Sequence, residues 1–391
     1  MKFTVNSSQL IGGVNKVIGV TPTRSTLPIL GNIYLSLEGK ELTIMGSDLE
    51  VYVSVKIKVE GKTDGRVALP AKKLETLLQN LQGKELSFEL QSGFKTIIKT
   101  KGGRWSITGE DPNDFPMPAE VDGANIEIDS DVLAKYLSKA IHAASPDELR
   151  RSMNGVFFEI KKGELRIVST DGHRLVRIIR SNFDYDGEKM NILVPIKTCQ
   201  MITRLFKSSA KSGGETIDAA TDKEAEQNEG SKAEMFFSSE FIKCNFNNIS
   251  ITSRLIDDTF PNYESVIPTD NEKKLRVNKD NIIGAVKRSI IMSDQVTNKT
   301  SFTVNETELK VKAANNEYGT DSEETVECTF TENDEFEIAF NGKYLLDALQ
   351  HFEGEEIIFD FSTSLKAAVL NPTEQIKDEN TMMLVMPVRN I

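Results

Sequence analysis

The sequence predicts an α+β chain of three tandem repeats, each with two helices packed on short antiparallel strands. Three sets of landmarks recur at nearly constant spacing along its 391 residues, and internal self-similarity of this kind is the signature of a repeated supersecondary unit. In the first set a short strand ends on Asn or Asp and runs into an amphipathic helix. Its members are Phe3-Thr4-Val5-Asn6 before SSQLIGGVNKVIGV, Ile126-Glu127-Ile128-Asp129 before SDVLAKYLSKAIHA, and Leu275-Arg276-Val277-Asn278 before KDNIIGAVKRSIIM. An Asn or Asp side chain accepts hydrogen bonds from the free amides of a first helical turn, so each is read as a cap. The three caps are 123 and then 149 residues apart.

In the second set an apolar strand meets a helix, with Lys two places after the junction: VALPAKKLETLLQNL, ILVPIKTCQMITRLF and IAFNGKYLLDALQHF. Pro70 and Pro195 suit a first helical turn, where the missing amide would be unpaired anyway, and Asn341 holds the third junction. The third set comprises LTIMGSD from Leu42, LRIVSTD from Leu165 and LKVKAAN from Leu309. These segments alternate apolar and polar residues with the period of a half-buried strand. Glu38-Gly39-Lys40 and Lys162-Gly163-Glu164 read as hairpin turns. The expected helices are 7–21, 70–83, 130–145, 196–211, 278–293 and 341–352, and the expected domains 1–124, 125–264 and 265–391. Across the three sets the second interval exceeds the first by 21 to 26 residues. That surplus falls in 211–234, a polar, acidic stretch expected to form a long solvated loop inside the middle domain.

Length alone argues for two or three cores, and 39% apolar with 27% charged residues fits a globular protein. No run reaches the roughly 18 apolar residues of a membrane span, and the opening MKFTVNSSQL lacks the apolar stretch of a signal peptide. Cys199, Cys244 and Cys328 are too few and too scattered for a disulfide framework or a zinc site. A reducing cytoplasm is the expected location.

The net charge of −12 would argue against a nucleic-acid partner if it were evenly spread. It is not. The six expected helices hold thirteen Lys or Arg and only four Asp or Glu, in a chain with 47 basic and 59 acidic residues. Lys197, Arg204, Lys207 and Lys211 share one helix that has no acid, and Lys72 and Lys139 lie on two others. A basic surface on an acidic body suits a polyanion and limits stray contacts. There is no aromatic–basic interleaving for stacking single strands, and no zinc-finger or RRM signature. Sequence-independent contact with the backbone of duplex DNA is the expectation. Twelve such helices from two chains, spaced roughly 9–10 Å apart, would line a ring about 110 Å around and about 35 Å across.

At this point the sequence resembles a known family. Ser169-Thr170-Asp171-Gly172-His173-Arg174-Leu175 looks like the middle-domain signature of bacterial DNA sliding clamps, the β subunits of replicative DNA polymerase III. Met153-Asn154-Gly155-Val156, Leu27-Pro28-Ile29-Leu30-Gly31-Asn32, Ser47-Asp48-Leu49-Glu50, Phe260-Pro261-Asn262-Tyr263 and the terminal Leu384-Val385-Met386-Pro387-Val388-Arg389 follow in the family's order. The resemblance implies three clamp domains per chain and a closed ring of two chains joined head to tail, which encircles duplex DNA and tethers the replicative polymerase. Heterologous contacts of that kind close only if the rotation per subunit fits. It implies no enzyme activity and no cofactor; a clamp loader would have to open the ring.

The resemblance also assigns residues. Clients are expected to dock a short peptide against Met153, Thr170, Gly172, His173, Arg174, Leu175, Pro261, Val266, Leu384, Met386, Pro387, Val388 and Arg389. The apolar members would receive client Leu and Phe side chains. Arg24 matches a DNA contact, and Arg150 lies in a loop that would touch duplex. Trp105 and Ile107 are expected to meet Ile291 and Met292 of a second copy.

Some of these residues have a plainer reading on sequence alone, Arg174 and Arg389 as surface charges among them. His173 with Asp171 reads as a structural His–Asp contact on one strand face, Arg24 as a solvated loop cation, and Trp105 as core. Two other functions compete with the clamp. A hydrolase using paired carboxylates lacks any recurring acidic motif, and neither G-x-S-x-G, H-E-x-x-H nor a P-loop occurs. A protein-only scaffold of the same fold would have no need of acid-poor helices.

Overall fold

The structure, a computed structural model, describes residues 1–81, 83–212 and 232–388. The six expected helices are present: α1 (Ser7–Val17), α2 (Ala71–Gln79), α3 (Ser130–Ile141), α4 (Ile196–Ser212), α5 (Lys279–Met292) and α6 (Gly342–Gln350). The caps form as their chemistry dictates. Asn6 Oδ1 accepts from the Ser8 amide at 2.8 Å. Asp129 Oδ1 accepts from Asp131 and Val132 at 2.9 and 3.1 Å. Asn278 accepts from Asn281, and Asn341 from both Lys343 and Tyr344. Each bond satisfies an amide that the first helical turn leaves without a partner.

Most helices end earlier than the periodicity suggested. The first expected helix finishes as a 3-10 turn, Ile18–Val20. Pro70 closes the strand Gly65–Pro70 and caps α2 from outside instead of entering its first turn. The expected acidic loop is trimmed at both ends, because α4 runs to Ser212 and the strand Lys232–Phe237 begins at Lys232. Its remainder, 213–231, lies outside the described residues.

Among the described residues three antiparallel sheets carry these helices. Two compact units form, one from residues 1–133 and 204–255, the other from 134–203 and 256–391. The first unit holds a five-stranded and an eight-stranded sheet. In the eight-stranded sheet Ile249–Arg254, from the expected middle domain, pairs with Val51–Lys58 from the expected first domain. The second unit holds a twelve-stranded sheet, in which Arg174–Phe183 of the expected middle domain pairs with Glu379–Val385 near the chain's end. Hairpin turns fall at Gly39 (φ +60°) and Gly163 (φ +72°), left-handed positions that glycine takes without steric cost.

The cores follow from the patterning. On α1, Leu10, Ile11, Val14 and Val17 recur at helical spacing and are buried, and the helix packs on the strands Glu41–Ser47 and Val51–Lys58. On Phe241–Phe246 every second side chain is buried. The repeat is visible in the packing as well. Tyr34 and Phe115 join Met45, Tyr52 and Ala68 in the first unit, and Phe157 and Phe260 join Val168, Leu175 and Leu193 in the second. Burying one such aromatic contributes about 1.5–3 kcal/mol. Among the described residues no helix is long and apolar enough to cross a membrane, and no group of three or more His, Cys, Asp or Glu is placed to hold a metal.

Candidate functional site

A cavity of about 510 Å³ opens in the second unit. Its floor is the pairing of Arg174–Phe183 with Glu379–Val385, where Leu175 lies directly opposite Leu384 and both are almost wholly buried. One wall is the segment 261–270, which contains the 3-10 turn Tyr263–Val266. The other wall is Leu365, Lys366 and Ala367. Met153, Thr170, Gly172, Arg174 and Met386 complete the lining.

The first wall is held at its base by aromatic packing. Phe260 stacks on Phe157 with ring centres 4.7 Å apart and planes 1° from parallel, and Tyr263 meets both rings at an angle. Below them the Tyr263 hydroxyl donates to Glu159 Oε2 at 3.0 Å and accepts from Arg166 Nη1 at 3.2 Å. Arg166 also pairs with Glu164 and Glu264. Burial pushes the Glu159 carboxyl up, but hydrogen bonds from Lys189 and Tyr263 and the charge of Arg166 outweigh it and hold the group below the usual range. Asp270 and Lys366 form an ion pair between the two walls, and the neighbouring Asn271 donates to the carbonyls of Asp360 and Ala367.

The turn between Thr170 and Arg174 differs from its sequence reading. Asp171 is not on a strand beside the His173 ring. Its Oδ1 accepts from the backbone amides of His173 and Arg174, and its Oδ2 accepts from Arg174 Nε at 3.1 Å. Gly172 sits at φ +88°, where a side chain would be strained. The His173 ring instead stacks on Tyr344, 5.9 Å between centres. Arg174 reaches α6 as well: Nη1 donates to Asp347 Oδ2 at 2.6 Å, and its guanidinium carbon lies 4.6 Å from the centre of the Tyr344 ring.

The structure therefore brings together nine of the residues expected in a peptide pocket: Met153, Thr170, Gly172, Arg174, Leu175, Pro261, Val266, Leu384 and Met386. His173, Pro387 and Val388 lie beside it and are not part of its lining. The Met386 amide donates to the His173 carbonyl, and the Val388 amide donates to that of Ala339. Arg389 is outside the described residues. Sequence reasoning missed the second wall and the charged bridge above it, because their only signal is contact between segments far apart in the chain. Val266, Leu365 and Met386 are exposed apolar side chains at the rim, and a concave apolar surface with few polar groups suits apolar side chains from a partner.

The basic residues fare unequally. Lys72, Lys197, Arg204 and Lys207 are exposed on their helices, and Arg24 is exposed in its loop. Lys72 pairs with Glu75 at 2.7 Å. Arg204 lies across Gly19 and donates to the Lys16 carbonyl at 3.4 Å. Arg150 is half exposed, with bonds to Asp147 and to the Asp171 carbonyl. Lys139 departs from the expectation of an accessible cation. It is buried, pairs with Glu353 at 3.6 Å, and burial pulls its pKa down. Its partner Glu353 lies in a distant part of the chain that periodicity on one helix does not reveal.

Trp105 and Ile107 lie half-buried on Gly103–Thr108, the edge strand of the five-stranded sheet. Ile291 is 68% exposed and Met292 37% exposed, both at the end of α5. Nearby in the second unit, the strand Thr320–Phe330 pairs over Thr320–Glu327 with Glu308–Asn315 on one side. On its other side the described pairing reaches only Cys328–Phe330. That half-open edge carries Asp321, Glu323, Glu324 and Glu327, of which Glu323 pairs with Lys312 and Glu324 with Arg288, whereas the last hairpin of the five-stranded sheet carries Lys95 and Lys99 on the strand Lys95–Thr100, Lys101 in the turn and Arg104 on the edge strand. Neither charge set was singled out in the sequence.

Residues 1–119, 127–215 and 264–389 match the N-terminal, central and C-terminal domains of the DNA polymerase III beta subunit. The chain belongs to that family, the bacterial sliding clamps. It is 26% identical to a beta sliding clamp of Staphylococcus epidermidis over 399 residues, spanning 100% of this chain and 99% of that one. With a beta sliding clamp of Pseudomonas putida it shares 27% over the full length of both. Among solved structures, a sliding clamp from Pseudomonas aeruginosa bound to griselimycin superposes with a TM-score of 0.89 at 26% identity, each chain covered in full. A clamp from Bartonella birtlesii, also bound to griselimycin, gives 0.88 at 25% and the same coverage. Three clamp domains, then, make up this chain, and it is a DNA sliding clamp.

Proposed function

We propose that two copies of this chain close head to tail into a ring around duplex DNA and hold the replicative polymerase and other clients at the 510 Å³ pocket. The observation that carries the client half of this reading is the pocket itself: paired Leu175 and Leu384 at its floor and exposed Val266, Leu365 and Met386 at its rim. A short client segment would bury its Leu and Phe side chains there, with Arg174 as the cation at the pocket's end. The domains would be 1–124, 125–264 and 265–391, a division supported by family matches over 1–119, 127–215 and 264–389.

The exposed cations Arg24, Lys72, Arg150, Lys197, Arg204 and Lys207 would meet phosphates without reading bases, and Lys139 is left out of that set. At the joint, Trp105 and Ile107 of one copy would cover Ile291 and Met292 of the other, with the basic hairpin facing the acidic strand edge. Such complementarity fixes register and rejects wrong pairings. The ring would act by topology, without catalysis; a separate ATP-driven clamp loader would open it, and the setting would be the bacterial cytoplasm.

Replacing Met386 and Pro387 by alanine tests the client site. Binding of a short fluorescent peptide with paired Leu and Phe side chains, and of griselimycin, should weaken by about tenfold, while sedimentation still shows the dimer. Unchanged binding would show that clients dock elsewhere.

A further inference from the structure

Within the pocket, Arg174 has more anchors than its position in the lining requires. Its side chain is only 11% exposed and sits between two carboxylates, Asp171 on its own turn and Asp347 on α6. The Tyr344 ring, also on α6, covers the guanidinium. Asp347 does not line the pocket. It nonetheless bonds twice: its carboxylate to Arg174 Nη1 at 2.6 Å, and its backbone carbonyl to Nδ1 of His351, which caps the end of the same helix, at 2.7 Å. His351 in turn stacks on His142, beyond the end of α3, at 4.3 Å.

We infer that Asp347 is a positioning residue for client recognition: it fixes the plane in which Arg174 presents its remaining N–H groups to a bound peptide. The inference rests on the reading of the cavity as the client site. A guanidinium has five N–H donors in a rigid fork. Asp171 takes the one on Nε and Asp347 takes one on Nη1, which leaves three outside those bonds. A single carboxylate on Nε would let the group swing about its side-chain torsions. A second carboxylate at the opposite corner, with a ring against one face, removes that freedom before a ligand arrives. Pre-ordering of this kind raises affinity by lowering the entropy lost on binding. The partner group this favours is a hydrogen-bond acceptor on the client, a main-chain carbonyl or a carboxylate, beside its apolar side chains. α6 thereby contributes to the pocket from outside it.

The test is a double-mutant cycle on the full chain, using the short fluorescent peptide with paired Leu and Phe side chains and anisotropy as readout. Asp347→Ala should weaken binding by about five- to tenfold, and Arg174→Ala by at least as much. In the Arg174→Ala background, Asp347→Ala should cost almost nothing further, because its effect passes through Arg174. Asp347→Asn keeps the shape and one acceptor oxygen, and should fall between wild type and Asp347→Ala with an unchanged melting temperature. Equal losses from Asp347→Ala with and without Arg174 would overturn the inference, as the residue would then act through general structure. So would full affinity in Asp347→Ala while Arg174→Ala is impaired. If Arg174→Ala itself binds normally, the assignment of the cavity to clients fails, and the inference with it.

Discussion

Tyr263 separates two contributions to the pocket wall, its ring and its hydroxyl. The ring is buried against Phe157 and Phe260, and the hydroxyl bridges Glu159 and Arg166. Tyr263→Phe removes only the bridge. Glu159 keeps Lys189 at 2.6 Å and Arg166 at 3.6 Å, and Arg166 keeps Glu164 and Glu264. No charge is stranded, so the loss is that of a hydrogen bond to charged partners, about 1–2 kcal/mol, well short of the 3–5 kcal/mol typical of a broken buried pair. For a unit of this size the melting temperature should fall by about 2–8 °C, measured by calorimetry. Peptide affinity should stay within about twofold, because the ring still shapes the wall. Tyr263→Ala, by contrast, should cost about 3–5 kcal/mol and weaken peptide binding by about tenfold or more. If Tyr263→Phe impaired the peptide as severely as Tyr263→Ala, the assignment of the wall's shape to aromatic packing would be refuted.

Three further outcomes are expected. His142 is kept neutral by burial first, then by the nearby His351 and Arg174, and its pKa falls to about 3. The unfolded chain takes up that proton near pH 6.5 while the folded chain resists it. Stability should therefore be full above that pH and decline as pH falls towards 3, by at most about 1.4 kcal/mol per unit; urea midpoints should show a shallower decline in His142→Gln. Asp129→Ala frees two amides at the start of α3 and should cost about 0.5–2 kcal/mol, seen as a lower melting temperature, whereas no change would mean that water replaces the cap fully. Ile291→Asp places a charge where a second copy is proposed to bury an apolar side chain, and should weaken dimerisation by about tenfold or more in sedimentation; an unaltered dimer would move the joint elsewhere.

The parts of this molecule legible in the sequence are those set by neighbours in the chain. Asn6, Asp129 and Asn278 announced their helices because a cap acts over three residues, and the alternation at Leu42, Leu165 and Leu309 announced strands because pleating has a period of two. Pairing across the expected domains was not legible. Nothing near Leu175 says that Leu384 lies opposite it. The burial of Lys139 was not legible for the same reason, since its partner Glu353 lies more than two hundred residues away. Asp347 carries no signal of its own in the sequence, and its partner Arg174 is 173 residues distant. The motif around Ser169 located the pocket without giving its walls. His173 and Asp171 are two residues apart in that motif, and their side chains have separate partners: the ring stacks on Tyr344, whereas the carboxylate holds Arg174 and the turn's own amides.

The central claim is encirclement, and retention on circular DNA tests it most directly. Chain loaded by a matching clamp loader with ATP would be washed at high salt, which screens phosphate contacts, and the circle would then be cut. The ring reading predicts that protein survives the wash and leaves once the DNA has ends. Loss in the wash, with a known clamp retained in parallel, would contradict it, as would protein that stays bound after linearisation with both ends free.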